Sequence, residues 1–402
     1  MRAFENVKVV DFTQVLAGPY ATHQLALLGA NVIKIEPPGR GDIARDMLDA
    51  RNFGQGEFSP LFSGANINKR SVALDLKLPA AKDVVKTLIT DADVLMQNFR
   101  PGVIDRLGFG YDAVREYNPR IVYCAVSGYG TAGPRSTEPA FDGAIQASSG
   151  LMASNGHAST GPTRTVSPVV DATTGLMAAF AIASALHRRS ITGEGQYLDV
   201  AMLDSAVALL NPIYNDFLLT GAEPDLLGNQ SLTMLPTANV FPTQDGYIQI
   251  TAITQPHIQL LIETLGRPEL LDDARYASPE SQAENGESIR TDLCDALRVG
   301  PTGVWIEKLQ AAGVPCAPIR NLPEVLRDPQ LAHRRLTATL SAPERVGGAD
   351  VELITTGFVA NEDGPQAETF APGVGQHTEA VLKEHGFSDE TIASLQSDGA
   401  FG

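Results

Sequence analysis

The sequence is poor in cysteine and in positive charge. Cys124, Cys294 and Cys316 lie far apart among 402 residues and form no CxxC pair, which argues against a disulfide framework and predicts a cytoplasmic protein. Lysine and arginine number 30 against 47 aspartates and glutamates, leaving a formal net charge of -17. Because general nucleic-acid binding needs a basic surface, we expect no nucleic-acid partner.

Long hydrophobic runs and several common motifs are also missing. The N-terminus lacks the apolar stretch of a signal peptide. The most apolar segment, Leu176 to Leu186, is shorter than the ~20 residues that a bilayer span needs, so we expect no membrane partner. The scattered histidines form no HExxH pattern, the first strand–helix turn has no GxGxxG, and P-loop and GxSxG motifs are absent. No metal site, dinucleotide site, kinase or ordinary hydrolase is therefore predicted.

Strands and helices alternate in the first third of the chain. Apolar runs typical of strands are separated by stretches with helical periodicity, and they lie at 7–12, 31–36, 71–76, 94–97 and 121–126. This alternation predicts a parallel, doubly wound α/β sheet. Ligands of such sheets bind at the carboxyl ends of the strands.

Asp171 is the most suggestive residue for chemistry. In the segment Pro168 to Gly175, we expect an apolar strand end to deliver this carboxylate to the start of a long apolar helix. The helix dipole and an ordinary pKa near 4 then keep the carboxylate ionised. The structural alternative is a helix N-cap, which is among the commonest uses of aspartate.

Basic and amide groups stand near the ends of predicted strands. Asn68-Lys69-Arg70 precedes one strand, Asn98-Phe99-Arg100 follows another, and Arg106 lies on the next helix. In an acidic protein, such a set is a candidate site for a phosphate-bearing ligand. The alternative is ordinary solvated surface charge.

An ordered series of short motifs resembles the class III CoA-transferase family, over nearly the whole chain. The matching segments are Val10-Asp11-Phe12-Thr13, Leu16-Ala17-Gly18-Pro19, Leu28-Gly29-Ala30-Asn31-Val32-Ile33-Lys34-Ile35-Glu36-Pro37-Pro38-Gly39, Asn68-Lys69-Arg70-Ser71, Gln97-Asn98-Phe99-Arg100-Pro101-Gly102, Ser127-Gly128-Tyr129-Gly130, Val170-Asp171, Thr192-Gly193-Glu194-Gly195-Gln196, Ala312-Gly313-Val314-Pro315, Asp328-Pro329-Gln330 and Gly375-Gln376-His377-Thr378. Each motif alone is weak, whereas the ordered set is highly specific.

The resemblance implies a homodimer of two interlocked, ring-shaped α/β subunits. Residues 1–221 would form the N-terminal part of a Rossmann-like large domain, and 326–402 a return segment that completes it. Residues 222–325, where proline and glycine punctuate short strands, would form a smaller α+β domain.

The resemblance also implies that Asp171 is the nucleophile of a CoA-transferase, which moves CoA from an acyl-CoA to a carboxylic acid. The carboxylate would carry first the acyl group, as an anhydride, and then CoA, as a thioester. Backbone N–H groups near the helix start would stabilise the oxyanions. No cofactor is expected beyond CoA itself as substrate. The positions that match CoA contacts are Val15, Ala17, Lys69, Arg70, Asn98, Phe99, Arg106 and Tyr129.

Two other activities fit a chain of this family. An acyl-CoA racemase needs an acid and a base beside the alpha carbon, and racemase relatives carry histidine where this chain has Phe141 before Asp142. A catalytically silent CoA-binding subunit is the second alternative, against which the retained Asp171 argues.

The substrate is predicted from departures within the resemblance. Formyl-CoA:oxalate enzymes have glutamine where this chain has Leu16, and a run of glycines where it reads Leu227 to Leu232. Both segments look more like the branch that uses succinyl-CoA to activate dicarboxylic acids. Arg45 and Arg164 are the candidate partners of the far carboxylate, with structural salt bridges as the alternative.

Overall fold

The computed structural model describes residues 1–48, 57–344 and 347–401. Over these residues the strands are β1 (Lys8–Asp11), β2 (Asn31–Glu36), β3 (Arg70–Ala73), β4 (Val94–Gln97), β5 (Val122–Ser127), β6 (Gly156–His157), β7 (Gly161–Pro162), β8 (Gln196–Ala201), β9 (Ala238–Pro242), β10 (Tyr247–Thr251), β11 (Cys316–Pro318), β12 (Thr337–Ser341) and β13 (Asp350–Ile354).

The α-helices of the described residues are α1 (Ala17–Leu27), α2 (Pro60–Ala65), α3 (Pro79–Thr90), α4 (Val103–Leu107), α5 (Tyr111–Tyr117), α6 (Asp142–Ser148), α7 (Val169–Thr192), α8 (Met202–Leu209), α9 (Asn211–Thr220), α10 (Gln255–Thr264), α11 (Pro279–Glu284), α12 (Gly286–Leu297), α13 (Thr302–Ala311), α14 (Leu322–Leu326), α15 (Pro329–Arg334), α16 (Thr378–Glu384) and α17 (Asp389–Ser397). Short 3₁₀ helices span Ile43–Arg45, Pro268–Asp272 and Ala274–Tyr276.

The chain divides into two compact units. The first unit comprises Met1–Leu151, Thr165–Gly221 and Gln330–Gly402, and the second comprises Met152–Arg164 and Ala222–Pro329. The family resemblance predicts residues 152–164 as part of the large domain, whereas in the structure they belong to the second unit. The reason is local: His157 forms a β-bridge with Leu227, and the Gly228 N–H donates to the Gly156 carbonyl.

The first unit contains a six-stranded sheet among its described residues, in the order β3-β2-β1-β4-β5-β8. Every neighbouring pair is parallel, so the predicted parallel α/β sheet is confirmed. The strand order reverses between β1 and β4. Such a topological switch point opens a crevice at the carboxyl ends of the two strands, where ligands of doubly wound sheets bind.

Helices cover both faces of this sheet, which explains the nearly continuous apolar strands. Val9 and Val10 point to opposite faces, as successive strand residues must. Val9 packs in a cluster that includes residues of α1 and α7. Val10 packs in a second cluster, on the other face, together with residues of α3. Helices α16 and α17 contribute Val381, Leu382, Ile392 and Leu395 to this second cluster. The return segment thus completes this side of the core, while its β12 and β13 pair only with each other within the described residues.

The helix α7 has 24 residues and is longer than its predicted apolar segment. By length and composition alone it is sufficient to cross a bilayer, a test that core helices of soluble proteins also pass. It packs against α1, and a Cβ at Gly175 would lie 2.7 Å from the Ala17 carbonyl oxygen. Glycine therefore permits the close approach of the two helices, one turn beyond Asp171.

The second unit has a three-stranded antiparallel sheet within its described residues, in the order β11-β10-β9. Its core contains Phe241 and Ile250 from the sheet, Leu293 from α12 and Trp305 from α13. The Trp305 indole N–H donates to the Leu297 carbonyl at 2.8 Å. Antiparallel strands with helices packed against them form an α+β arrangement.

Candidate active site

A cavity of about 260 Å³ lies at the switch point, within the first unit. Its walls come from the segments after β1, β4 and β5, and from the first turn of α7. The lining residues are 14–17, 98–101, 126–128, 138–141, Ser136, Met202 and Asp171. The cavity therefore occupies the position at which the topology predicts a ligand.

Two loops are bonded to each other across the switch point. The Gln14 backbone N–H donates to the Asn98 side-chain oxygen, and the Asn98 amide donates back to the Gln14 carbonyl, both at 2.8 Å. Backbone hydrogen bonding between β1 and β4 stops near the ends of the strands, and beyond that point this reciprocal pair of hydrogen bonds connects the two segments. It fixes the segment after β1 against the segment after β4.

The segment after β5 requires a glycine. A Cβ at Gly128 would lie 2.2 Å from the Cβ of Ala140, so any side chain there would displace the segment that leads into α6. Ala140 and Phe141 are thereby brought against Gly128 at the cavity wall. Because Asp142 directly follows Phe141, the same close approach places Asp142 near the start of α7.

Asp171 lies in the first turn of α7 and not at its cap. The helix begins at Val169, so the strand end predicted at 168–170 is absent and the N-cap interpretation of Asp171 is wrong. Asp142, from α6, supplies the cap: one of its carboxylate oxygens accepts the N–H of Val170 at 2.9 Å and of Asp171 at 3.2 Å. These two N–H groups are already bonded, so they are not free for an oxyanion as the sequence analysis expected.

The charge of Asp171 also differs from the expectation. Burial, followed by the negative charge of Asp142, raises the pKa of Asp171 to about 7. Within the described residues no cation pairs with this carboxylate. The helix dipole is offset because the cap is itself a carboxylate, and Asp171 is therefore divided between acid and anion near neutral pH.

The cavity brings together six of the predicted site residues. Asp171 and the adjacent positions Val15, Leu16 and Ala17 line it, together with Asn98 and Phe99 from the next loop. Phe99 also packs on Phe12, with ring centroids 6.5 Å apart. These residues are distant in sequence but share the carboxyl edge of the sheet.

Lys69 is not placed to bind a phosphate. Its amine is fully buried and contacts the Asp11 carboxylate at 3.2 Å, the Pro19 carbonyl at 2.8 Å and the Asn66 side-chain oxygen at 2.9 Å. An ammonium group has three donors, and all three are used inside the protein. Burial lowers the pKa of Lys69 to about 8.

Arg70, Arg106 and Tyr129 lie outside the lining of this cavity. Arg70 makes a bidentate ion pair with Glu384 of α16, at 2.7 and 2.8 Å. Arg106 is exposed on α4. Tyr129 follows the lining residue Gly128, and its ring lies beneath the Arg135 guanidinium, 3.9 Å from the centroid. Their assignment as CoA contacts stays a prediction.

Arg45 has a structural role. Its guanidinium is fully buried and pairs with Glu36 at 2.6 Å, and it donates to the Glu57 and Pro372 carbonyls at 3.0 and 3.1 Å. The structure therefore favours the salt-bridge alternative for Arg45 over a contact with substrate. Arg164 is exposed and belongs to the second unit, and its assignment stays a prediction.

Two lining or supporting residues, Glu138 and Asp142, were not predicted from the sequence, and a third, Arg100, was predicted only within the candidate phosphate-binding set. Arg100 is the one cationic side chain in the cavity lining that the structure describes, and Glu138 is the second carboxylate there. Asp142 supports α7 from outside the lining. Arg100 had a usable signal, because it follows a strand at the carboxyl edge, whereas the other two depend on packing. In the described part of the chain, no group of three or more His, Cys, Asp or Glu side chains is arranged to hold a metal ion.

The raised pKa of Asp171 predicts that this carboxylate destabilises the fold at high pH. In the folded state its proton is retained up to about pH 7, whereas in the unfolded chain it is lost near pH 4. The free-energy cost of ionising Asp171 in the folded protein therefore grows from pH 4 to 7 and reaches its full value above pH 7. The unfolding free energy of Asp171→Asn relative to wild type should therefore increase by roughly 2 kcal/mol as the pH rises from 5.5 to 8.

Urea unfolding at the two pH values measures this gain. Asp204→Asn, at an exposed aspartate of α8, is the matched control and should show no such change. A stability difference between Asp171→Asn and wild type that is the same at both pH values would contradict the prediction.

Comparison with known proteins identifies the family of this chain. The sequence profile of CoA-transferase family III matches residues 4–378. The succinyl-CoA:glutarate CoA-transferase of Homo sapiens is 34% identical over 406 residues, which cover 99% of this chain and 90% of that protein. The acetyl-CoA:oxalate CoA-transferase of Acetobacter aceti is 35% identical over 384 residues, 95% of each chain.

The fold has a similar counterpart among solved structures. A CaiB/BaiF family protein from Brucella suis superposes with a TM-score of 0.83 at 27% identity, covering 96% of this chain and 99% of that chain. The family match extends over most of the sequence, and the human and Acetobacter relatives are CoA-transferases. The chain belongs to CoA-transferase family III and is a CoA-transferase.

Proposed function

We propose that this enzyme transfers CoA from succinyl-CoA to a dicarboxylic acid, through covalent intermediates on Asp171. The observation that carries the proposal is a partly buried carboxylate, with its pKa raised to about 7, in the cavity at the switch point. A carboxylate without a cation partner is free to attack, and a higher pKa makes it a stronger nucleophile.

The reaction proceeds by four exchanges at carbonyl carbons. Asp171 attacks the donor thioester, which forms an aspartyl–acyl anhydride and releases the CoA thiolate. The thiolate attacks the aspartyl carbonyl, which forms the aspartyl-CoA thioester and frees the donor acid. The acceptor acid attacks this thioester, and the released thiolate then attacks the acceptor carbonyl of the new anhydride. The new acyl-CoA leaves and the Asp171 carboxylate is restored.

The oxyanions of these steps need hydrogen-bond donors. The N–H groups of Val170 and Asp171 already donate to Asp142. The first turn of α1 offers others, because the leading N–H groups of a helix have no partner inside it. Leu16 and Ala17, at the start of α1, line the cavity with Asp171, which supports a role for this turn.

The cavity volume suits the reacting end of the substrate. At about 260 Å³ it is smaller than the 300–1,000 Å³ typical of pockets that enclose a drug-sized ligand. We therefore assign it to the thioester and the acyl group. Arg100, the cation of the described lining, takes over the role first considered for Arg45, as the partner of the far carboxylate.

The two alternative activities have less support. Phe141 lines the cavity where racemase relatives have histidine, and a phenyl ring has no ionisable proton to exchange with a substrate. Asp142 is occupied in capping α7. A silent CoA-binding subunit would not need a nucleophile in the cavity.

We also propose that the enzyme is a cytoplasmic homodimer. Leu176, Met177 and Phe180 on α7 are exposed, and Leu218 and Leu219 on α9 are more than 70% exposed. Large exposed apolar side chains concentrated on two helices favour an interface in soluble proteins. The three cysteines are free, as expected in a reducing compartment.

The covalent mechanism predicts that Asp171→Ala and Asp171→Asn lose turnover by a factor of at least about 10³, because neither side chain forms an anhydride. The donor acyl-CoA should still bind. Wild-type enzyme incubated with succinyl-CoA should gain the mass of an acyl or CoA adduct, and hydroxylamine should then modify Asp171 alone. Peptide mass spectrometry locates the adduct. A folded Asp171→Ala enzyme with near-normal turnover would eliminate this mechanism.

The pKa predicts the pH dependence of the first half-reaction. Since the nucleophile must be deprotonated, kcat/KM for the acyl-CoA should fall as pH decreases through about 7. In Asp142→Asn the capping oxygen remains but the like charge is gone, so the acidic limb of the profile, where kcat/KM falls, should move to lower pH. Asp204→Asn should leave it in place. Initial rates from pH 5 to 9 measure the limb, and one that lies near pH 4 in wild type would contradict the prediction.

The substrate assignment predicts which acids accept CoA. With succinyl-CoA as donor, dicarboxylic acids of four to six carbons should react in preference to acetate, with products identified by mass. Arg100→Met should raise KM for these acids by about tenfold, the cost of losing one charge-assisted hydrogen bond, and should affect acetate little. Arg115→Met, at an exposed arginine of α5, is the control. Free use of monocarboxylic acids with no reaction of the dicarboxylic acids would refute the assignment.

A further inference from the structure

The backbone of Val15 has an unusual conformation. Its φ is 69°, in the left-handed region that glycine tolerates and that a β-branched residue rarely adopts. Such a conformation costs free energy and persists only where the surroundings impose it. Val15 lines the cavity that holds Asp171.

One side chain holds this backbone directly. The Val15 N–H donates to a carboxylate oxygen of Asp42 at 3.0 Å. The same oxygen accepts the N–H of Ala44 at 2.9 Å, and the Asp42 N–H donates to Glu36 at 2.8 Å. Asp42 is fully buried, so it is itself held in place by the segment that follows β2.

The second oxygen of Asp42 completes the support. It pairs with the Lys34 amine at 2.9 Å, and both side chains are fully buried. The Lys34 amine also donates to the Thr13 carbonyl at 2.6 Å, two residues before Val15. The ion pair therefore contacts the loop after β1 at two points, while Asn98 holds Gln14 between them.

This loop connects to the reacting carboxylate through helix packing. It leads directly into α1, whose Ala17 carbonyl is in close contact with Gly175 on α7. Asp171 lies one turn before Gly175 on the same helix. The position of the Val15–Ala17 wall relative to Asp171 is thus set by the loop at one end and by the α1–α7 contact at the other.

We propose that Asp42 is a positioning residue for the transfer reaction: by accepting the Val15 N–H, it holds the left-handed turn that sets the cavity wall against Asp171. The inference rests on the proposed function for its kinetic consequence. Asp42 does not line the cavity, so it acts through Val15 and not on the substrate. Without the acceptor, Val15 relaxes to negative φ and the wall moves.

A double-mutant cycle with Val15→Gly tests this role. Glycine adopts positive φ without support, so the turn survives in Val15→Gly when Asp42 is removed. Asp42→Ala should lower kcat by about tenfold or more in the Val15 background, and by less than about threefold in the Val15→Gly background. Equal losses in the two backgrounds, or an unchanged kcat per folded Asp42→Ala enzyme, would overturn the proposal.

Two further variants separate positioning from stability. Asp42→Asn keeps an oxygen for the Val15 N–H and loses the charge that faces Lys34, so it should be less stable but keep kcat within about threefold. Ser71→Ala removes a buried hydroxyl that donates to Glu36 at 2.6 Å and does not contact the loop, so kcat should be unchanged. If Asp42→Ala does not fold, the cycle is run in the Lys34→Met background, where no buried cation is left unpaired.

Hydrogen exchange of the peptide spanning residues 12–20 gives a readout independent of turnover. Deuterium uptake should rise in Asp42→Ala and stay at the wild-type level in Asp42→Asn and Ser71→Ala. This result decides whether Asp42 holds the loop even if the enzyme fails to use succinyl-CoA. Unchanged uptake in Asp42→Ala would overturn the inference without bearing on the proposed function.

Discussion

A charge-balanced cluster buried beneath the carboxyl ends of β1 and β2 is the constraint on which the site depends. It contains the carboxylates Asp11, Glu36 and Asp42 and the cations Lys34, Arg45 and Lys69, each at most 2% exposed. Burying such charges costs several kcal/mol per ion unless each has partners. The partners therefore have to sit at fixed places, and the loops that carry them are held in one geometry.

The cluster and the nucleophile show opposite uses of burial. Within the cluster each carboxylate has a cation close by, as between Lys34 and Asp42 at 2.9 Å. Asp171 has no cation partner among the described residues, and burial, followed by the like charge of Asp142, raises its pKa to about 7. Evenly paired charges give a rigid support, and the unpaired carboxylate gives a reactive group. Both arise from low dielectric and differ only in the sign of the neighbouring charge.

Much of the fold and part of the site were accessible from the sequence. Apolar runs separated by stretches of helical periodicity predicted the parallel sheet, since both patterns reflect burial against the core. The motif series identified the family and singled out Asp171, Val15, Ala17, Asn98 and Phe99, which line one cavity. The structure disagrees with the phosphate-binding assignment of Lys69, and for Arg45 it favours the salt-bridge alternative. A cation near a strand end has the same sequence signature whether it faces solvent or is buried with a carboxylate.

The sequence by itself determined five of the six strands of the parallel sheet, the family and the identity of the candidate nucleophile, because these depend on local patterns and on residues close together in the chain. Only the tertiary structure decided the state of that nucleophile. Asp142 lies 29 residues from Asp171 and the Lys34–Asp42 pair more than 100, and their effects come from distance and burial in space. The pKa of a carboxylate and the φ of Val15 are set by neighbours that packing alone brings together.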